Sequence, residues 1–281
     1  MNNLLKEKLI ELAINEDIGD GDHSSLSCIP KRKKGKYKLI IKEDGIIAGI
    51  QEAKIIFTRI DKKIEFEQYL QDGKRVKAGD IAFTAKGKIH SLLQAERLVL
   101  NIMQRMSGIA TNTKKYTEKL QDLTTKVLDT RKTTPGMRSF EKKAVVLGGG
   151  ENHRMGLYDM IMLKDNHIDF AGGISQAIRK TLKYLQKKEK HLKIEIEARN
   201  LDEVKEILNT GGVDRIMLDN FSIEETRQAV KLINGQFETE SSGGITLNTI
   251  RDYAECGVDY VSVGALTHHI KSLDMSLKAM E

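Results

Sequence analysis

The chain has 281 residues, with 46 Lys and Arg against 40 Asp and Glu, a net charge of +6, 40% hydrophobic and 31% charged residues. Such a balance suits a globular protein with a proper core, and the length suits one large α/β domain with a smaller partner. The positive charge admits acidic partners, but seven Tyr, seven Phe and no Trp, none in a stacking series among the cations, argue against nucleic-acid binding as the main task. Cys28 and Cys256 lie far apart without metal spacing and read as reduced, incidental thiols. The first residues lack the apolar run of a secretion signal, and no apolar stretch nears the ~18 residues of a membrane span. A cytoplasmic protein without membrane or nucleic-acid partners is expected.

In chain order, Leu4–Ile14 reads as a helix ended by the acidic turn Glu16–Asp22. Short β-type segments follow at Tyr37–Ile41, Gly45–Ala48, Lys63–Gln68 and Asp80–Ala85, with a helix over Gln51–Ile60. The basic run Lys31–Lys38 reads as a solvated hairpin edge, where lysines discourage further pairing. Ile89–Thr113 carries a wide apolar stripe and predicts a long amphipathic helix, ending near Ser107-Gly108, that joins two domains. From about residue 125 strand and helix alternate. Strands are expected at Lys126–Asp129, Met160–Leu163, Lys193–Glu197, Arg215–Asp219, Phe237–Ser241 and Tyr260–Val263, with helices at Ile174–Gln186, Leu201–Asn209, Ile223–Ile233 and Leu247–Cys256. Parallel βαβ units without a Gly-x-Gly-x-x-Gly fingerprint favour an α/β barrel over a dinucleotide-binding sheet. Fewer than eight units make that barrel incomplete. The expected domains are an N-terminal α/β sandwich over 1–112, the barrel over 113–267 and a tail over 268–281 that packs back on the first domain.

The stretch 129–167 concentrates Arg131, Lys132, Arg138, His153, Arg154, Lys164 and His167, punctuated by Pro135-Gly136 and Gly148-Gly149-Gly150. Clustered cations among glycines that can expose backbone amides suggest a site for several phosphates or carboxylates. A solvated face would account for the cations alone, without a triple glycine leading to His-Arg. Each expected strand also ends in polar residues: Asp129-Thr130-Arg131-Lys132, Lys164-Asp165-Asn166, Glu197, Asp219-Asn220, Glu240-Ser241-Ser242, and Ser262 with Gly264. One such end only marks emergence into water. Six in register imply a shared mouth, which is where barrel active sites lie. The last two turns, Ser242-Gly243-Gly244-Ile245-Thr246 and Val263-Gly264-Ala265-Leu266, suit a phosphate held on backbone amides. Glu197 and Asp219 face that mouth as partners for sugar hydroxyls or Mg²⁺, or else pair structurally with Lys164 or Arg131. His153 and His167 lack zinc spacing with each other or with a cysteine.

Together with Ala95-Glu96-Arg97-Leu98-Val99-Leu100-Asn101 and Ser107-Gly108-Ile109-Ala110-Thr111, these residues resemble the quinolinate phosphoribosyltransferase family, from Glu16–Asp22 through to Val261–Gly264. The resemblance implies an N-terminal α/β sandwich, a C-terminal open α/β barrel, and dimers or dimer-based hexamers. It also implies conversion of quinolinate and phosphoribosyl pyrophosphate, with Mg²⁺, into nicotinate mononucleotide, pyrophosphate and carbon dioxide, the entry of the pyridine ring into NAD biosynthesis. By resemblance Arg131, His153 and Arg154 hold the dicarboxylate, joined by Arg97 of the neighbouring subunit, and Thr130 belongs to the substrate-binding set. Lys132 and Lys164 meet pyrophosphate and ring-carboxylate charge. Glu197 and Asp219 hold ribose hydroxyls and the metal, Ser242, Gly243, Gly244 and Gly264 hold the 5′-phosphate, and Val263 and Ala265 complete the substrate-binding set. Lys132, Lys164, Glu197 and Asp219 are the implied catalytic set. Gly21-Asp22-His23-Ser24-Ser25 departs from the family's more usual aliphatic residue and Thr, and Arg199 adds a cation without an assigned role.

The nearest rival is a nicotinate phosphoribosyltransferase, since a mono-acid needs fewer cations than Arg97, Arg131, His153 and Arg154 supply. A molybdenum-transport-associated relative ranks third. A non-catalytic phosphate-binding barrel leaves Glu197 and Asp219 unexplained. Asp219 has no acidic neighbour, which disfavours an orotate or purine enzyme on a doubly wound sheet.

Overall fold

The computed structural model describes residues 2–280, with side chains from Leu4 onward. The first stretch runs α1 (Asn2–Ile18), α2 (His23–Cys28), β1 (Lys34–Ile41), β2 (Gly45–Ile46), α3 (Ile50–Ile60), β3 (Glu65–Gln68), β4 (Arg75–Val76), β5 (Ile81–Lys88) and α4 (Ile89–Glu118). After these come β6 (Lys126–Leu128), α5 (Arg138–Leu147), β7 (Ile161–Leu163), α6 (Asp165–Ala171), α7 (Ile174–Lys188), β8 (Ile194–Ala198) and α8 (Leu201–Thr210). The chain finishes with β9 (Arg215–Asp219), α9 (Ile223–Ile233), β10 (Glu238–Ser242), α10 (Ile250–Ala254), β11 (Tyr260–Ser262), α11 (Ala265–His268) and β12 (Met275–Met280). The chain divides into two compact units, one of residues 1–114, 133–149 and 266–281, the other of 115–132 and 150–265.

In the first unit a four-stranded antiparallel sheet has the order β12-β1-β5-β3. The lysine-rich strand β1 therefore lies inside the sheet, with β12 on one side and β5 on the other, which corrects the hairpin-edge reading. Its lysines alternate with residues that turn to the core, where Leu39 and Ile41 are fully buried. Phe57 of α3 packs against Phe66 and Phe83 at ring-centroid distances of 6.0 Å each, closing an aromatic cluster on the sheet. The long helix α4 does not stop at Ser107-Gly108 but continues to Glu118. The Ser107 hydroxyl donates to the Ala48 carbonyl (3.1 Å) and accepts from the Ala48 amide (2.8 Å). A Cβ on Gly108 would lie 2.3 Å from the Lys271 carbonyl oxygen. The pair is a mid-helix seat for neighbouring backbone, and glycine's close approach rather than its flexibility is used. Asp22 caps α2 by accepting from the Ser25 amide at 3.2 Å, so the departure at 21–25 still makes a regular cap.

In the second unit six strands form one wholly parallel sheet in the order β6-β11-β10-β9-β8-β7. The strand count and βα rhythm are as read from the sequence. β6 and β7 do not pair, so the barrel stays open between its first two strands. Beside β6 a single parallel bridge joins Leu128 to Glu151. The strands bury both faces, but the residues facing the interior alternate with apolar ones and several are charged. On β8, Glu195 and Glu197 alternate with Ile194, Ile196 and Ala198, and all five are buried. The ladders set Glu195 opposite Arg215 and Arg215 opposite Glu238.

Candidate active site

The C-terminal ends of the parallel strands gather most of the expected residues within the second unit. After β6, Thr130 turns the chain, its hydroxyl accepting the Lys132 amide at 3.1 Å, and Arg131 and Lys132 emerge exposed. Asp129, fully buried, accepts the His153 amide at 2.8 Å and thereby ties the 150–154 segment to this strand. Arg154 is half-buried, and its guanidinium donates to the Met160 carbonyl at 3.3 Å. Burial, and then the charge of Arg131, lower its proton affinity.

At the end of β7, Lys164 pairs directly with Glu197 from the end of β8, and the other Glu197 oxygen accepts the Asp165 amide at 3.3 Å. The Lys164 amide donates to His167 Nδ1 at 3.0 Å, so His167 closes the first turn of α6 instead of joining the anion site. Asp219 ends β9 and accepts from Asn220 Nδ2 at 2.8 Å. Asn220 itself sits at φ 58°, and its amide donates to the Ser242 carbonyl at 2.9 Å. Gly243 (φ 95°) follows, and a Cβ there would lie 2.1 Å from Asn220 Oδ1, so only glycine fits this turn. On the next strand the Val263 amide donates to the Leu128 carbonyl at 2.9 Å, which leaves Gly264 and Ala265 at the strand's exit. α10 begins only at Ile250 and has five residues, so the Ser242–Thr246 turn does not run straight into a helix as expected from sequence. The turn offers its own amides, with no long helix dipole behind them.

The structure revises two readings of the cation-rich stretch. A Cβ on Gly148 would lie 2.5 Å from the Ala110 carbonyl oxygen and 2.7 Å from Thr113 Cβ, so this glycine lets the end of α5 close on α4. Arg138 opens α5 and donates to the Thr133 hydroxyl at 3.0 Å. The triple glycine is thus at least partly a packing device. Arg199 is likewise structural, paired with Glu203 at 2.7 Å and Asp169 at 3.3 Å. Arg97 lies exposed on α4 in the first unit and is not among the residues that the strand ends bring together.

Beneath the mouth is a charged layer that the sequence reading did not assemble. His153 (7% exposed), Glu195 (0%), Arg215 (6%) and Glu240 (0%) are packed in the interior. His153 Nε2 is 3.0 Å from Glu195 Oε2 and 3.4 Å from Glu240 Oε2. Arg215 Nη1 donates to Glu240 Oε2 at 2.8 Å, and Arg215 pairs with Glu238 at 3.1 Å. Burial raises the Glu195 carboxyl to about 7, helped by the neighbouring Glu240. Burial disfavours a charged His153, but hydrogen bonds to Glu195 and Glu240 outweigh it and push the ring up to about 9. The Arg154 amide, however, donates to His153 Nδ1 at 2.7 Å, and an N–H can only donate. In this geometry Nδ1 accepts while Nε2 lies on the side of the two carboxylates. The alternation Ile194-Glu195-Ile196-Glu197 in a buried strand was the available signal: two acids sharing the interior face of an otherwise apolar segment.

Glu197 and Asp219 suit Mg²⁺ in donor chemistry, being hard oxygen ligands at the ends of adjacent strands in a mouth otherwise rich in cations. Among the described residues His153, Glu195 and Glu240 also place three ligand atoms within 4.8 Å of one another.

Comparison with known proteins matches residues 22–107 to "Quinolinate phosphoribosyl transferase, N-terminal domain" and residues 109–278 to "Quinolinate phosphoribosyl transferase, C-terminal domain". The chain is 45% identical over 285 aligned positions to quinolinate phosphoribosyltransferase 1b (decarboxylating) of Nicotiana tabacum, covering 96% of this chain and 81% of the tobacco protein. It is 40% identical to the probable nicotinate-nucleotide pyrophosphorylase (carboxylating) of Bacillus subtilis, over 99% of this chain and 94% of that one. The crystal structure of NadC from Streptococcus pyogenes superposes with a TM-score of 0.92 at 40% identity, covering 98% and 97% of the two chains.

Proposed function

The chain belongs to the quinolinate phosphoribosyltransferase family, and from that premise we propose that it transfers phosphoribosyl from phosphoribosyl pyrophosphate to quinolinate with decarboxylation. The products are nicotinate mononucleotide, pyrophosphate and carbon dioxide, and the reaction belongs to NAD biosynthesis. The observation that carries the reading is the division of one mouth into two walls. Arg131, Lys132, Arg154 and Lys164 come from the β6 and β7 side, and Glu197, Asp219 and the Gly243 and Gly264 turns come from β8 to β11. The cationic wall suits a planar dicarboxylate and a pyrophosphate, because guanidiniums fork onto carboxylates and lysines act as point charges. The opposite wall suits a sugar phosphate, with carboxylates for hydroxyls and backbone amides for the 5′-phosphate.

The pyridine nitrogen attacks the anomeric carbon as the bond from that carbon to pyrophosphate breaks. Positive charge at the anomeric carbon is stabilised by Glu197 and Asp219, and negative charge on the leaving group by Lys132 and Lys164. Lys164 and Glu197 already pair, so either can exchange its partner for substrate charge without being left buried and alone. Attachment of the sugar makes the ring a pyridinium. The carboxylate next to the nitrogen then leaves as carbon dioxide, its bonding pair is drawn into the ring, and a proton replaces it. Positioning and electrostatics supply the catalysis. Mg²⁺ held by Glu197 and Asp219 would neutralise charge on phosphoribosyl pyrophosphate. By the same reading the enzyme is a cytoplasmic homodimer or dimer-based hexamer in which Arg97 completes the neighbour's site. Among the described residues no helix is long and apolar enough to cross a membrane.

Incubation of the purified protein with Mg²⁺, phosphoribosyl pyrophosphate and either quinolinate or nicotinate tests the proposal. Carbon dioxide and nicotinate mononucleotide should form with quinolinate. Turnover of nicotinate but not of quinolinate would sink it.

A further inference from the structure

Arg154 opens a loop that ends at Met160, one residue before β7. Its guanidinium donates from Nη1 to the Met160 carbonyl at 3.3 Å, so one side chain ties the two ends of the loop together. Asp159 turns back on the start of the same loop. Its Oδ2 accepts the Met155 amide at 2.7 Å and its Oδ1 accepts the Gly156 amide at 2.9 Å. Two successive amides on the two oxygens of one carboxylate form a small anion nest, filled by the chain's own charge. Gly156 is buried, and a Cβ there would lie 2.5 Å from Tyr158 Cε1 and 2.8 Å from Tyr158 Cδ1. The Tyr158 ring therefore lies directly on the Gly156 backbone, which only glycine allows. Asp159 itself is exposed.

A loop that merely joined two segments would leave its amides to water. Here the Gly156 amide is turned away from water, and a buried amide must be paired. Asp159 pairs it. Without that carboxylate the loop has to open for the amide to reach water, and Arg154 stands at the hinge, immediately before Met155. The charge of Asp159 acts in the same place. Burial and Arg131 lower the proton affinity of Arg154, and Glu195, Asp159 and Glu197 raise it. Of these three acids only Asp159 belongs to the Arg154 loop. A guanidinium carries five N–H donors, and the bond to Met160 occupies one, so a fork is left for a carboxylate. We infer that Asp159 is a positioning residue: by closing the 154–160 loop on the Met155 and Gly156 amides, it fixes the Arg154 guanidinium beside the start of β7 for one carboxylate of the substrate. Tyr158 backs the closure by covering Gly156. The phosphate turns follow β10 and β11, several strands away from β7, and Lys164 has its own partner in Glu197. The effect of Asp159 is therefore confined to the dicarboxylate.

This inference rests on the proposed reaction, with quinolinate as the ligand of Arg154, so its first test needs no ligand. In the ligand-free parent the Met155 and Gly156 amides should be protected from hydrogen exchange, and Asp159→Ala should speed their exchange about 10-fold or more. Unprotected amides in the parent overturn the inference. Asp159 is exposed, so its replacement leaves the core untouched, and a thermal melt verifies that the variant is folded. Steady-state kinetics then separate the two substrates. Asp159→Ala should raise the KM for quinolinate about 10-fold or more, with the KM for phosphoribosyl pyrophosphate within about 2-fold of the parent. Asp159→Asn keeps an oxygen for one of the two amides and should lie between the parent and the alanine variant. Equal rises in both KM values would reject positioning in favour of a purely structural role, and an unchanged KM for quinolinate in the folded alanine variant would reject it outright. A parent that does not turn over quinolinate overturns the reaction, and this inference with it. An active parent whose alanine variant keeps its KM overturns the inference alone.

Discussion

Replacing Gly243 with alanine separates backbone strain from loss of the phosphate turn. At φ 95° the new methyl enters a region that side chains rarely occupy, and it would lie 2.1 Å from Asn220 Oδ1 and 2.9 Å from the Asn220 backbone nitrogen. Strain of this kind costs roughly 1–2 kcal/mol. The clash cannot be relieved by rotating a flexible side chain, because Asn220 is fixed at φ 58° with its amide on Ser242 and its side chain on Asp219. The turn itself must move. Each amide hydrogen bond to a charged phosphate that is lost costs about 1.5–3 kcal/mol, which corresponds to a rise in KM for phosphoribosyl pyrophosphate of about 10- to 150-fold.

Two neighbouring glycines provide controls. Gly244 (φ 61°) and Gly235 (φ 72°) share the left-handed conformation, but a Cβ at either meets nothing within 4 Å. Alanine there should lower Tm by roughly 2–4 °C per kcal/mol of strain, with little effect on substrate affinity at Gly235 and a modest one at Gly244. Steady-state kinetics with each substrate varied, together with thermal melts, checks all three variants. If Gly243→Ala raises the KM for phosphoribosyl pyrophosphate no more than Gly235→Ala does, the turn does not hold the sugar phosphate.

Lys164→Ala should lower kcat by about 10²-fold or more, because it removes a leaving-group cation and unpairs Glu197 together; a variant within 3-fold of the parent would remove Lys164 from the chemistry. Arg97→Ala and Lys164→Ala should each be inactive, yet random mixed dimers should recover about one quarter of the parent activity, as one site in each heterodimer is then intact. No recovery in verified heterodimers refutes donation of Arg97 across the interface. In the first unit, the fully buried Glu52 pairs with Lys6 and accepts from Lys143 at 3.0 Å. Burial raises its carboxyl, but the two lysines prevail and hold it below the usual carboxylate range. A depressed carboxyl stabilises the fold above its unfolded pKa and loses that contribution as pH falls through the folded value. Glu52→Gln should therefore destabilise at pH 7 by about 2–3 kcal/mol, discounted for lysines that can rehydrate, and acid unfolding below pH ~4.5 should become shallower. Parallel acid-unfolding curves would contradict this assignment.

Much of the second unit was legible because its strands are short apolar runs between helical periods, and βα spacing alone orders them. β9 and α9 have the bounds read from the sequence, since Asp219 and the Ser222 capping box punctuate them. The end of α4 was misread because Gly108 serves close packing against residues 271–272, a contact between segments far apart in sequence. β12 was missed for a related reason: Met275–Met280 becomes a strand by pairing with β1, and little in its own six residues announces it. At the site, exposed cations and strand-end acids could be picked out one by one. The surroundings of His153 could not, because Glu195 and Glu240 lie 42 and 87 positions further along the chain, and only the curvature of the sheet brings them under one ring.

The open side of the barrel and the buried cluster are connected. A closed barrel would place β7 against β6 and satisfy the β6 backbone with a strand. Here the Glu151 amide donates to the Val127 carbonyl at 2.8 Å, the Asp129 amide donates to the Glu151 carbonyl at 3.1 Å, and pairing stops after that bridge. The chain is then free to turn inward at His153, two residues on, where a continuing strand would have carried it past the interior. An apolar residue at 153 would also have found room, but it could not have held the Arg154 amide. An imidazole can, through Nδ1. On the other side of the ring Glu195 and Glu240 lie 3.0 and 3.4 Å from Nε2, and Arg215 pairs with Glu240. The early stop in pairing, the histidine and the three interior charges therefore lie along one run of contacts, and it reaches the backbone of Arg154.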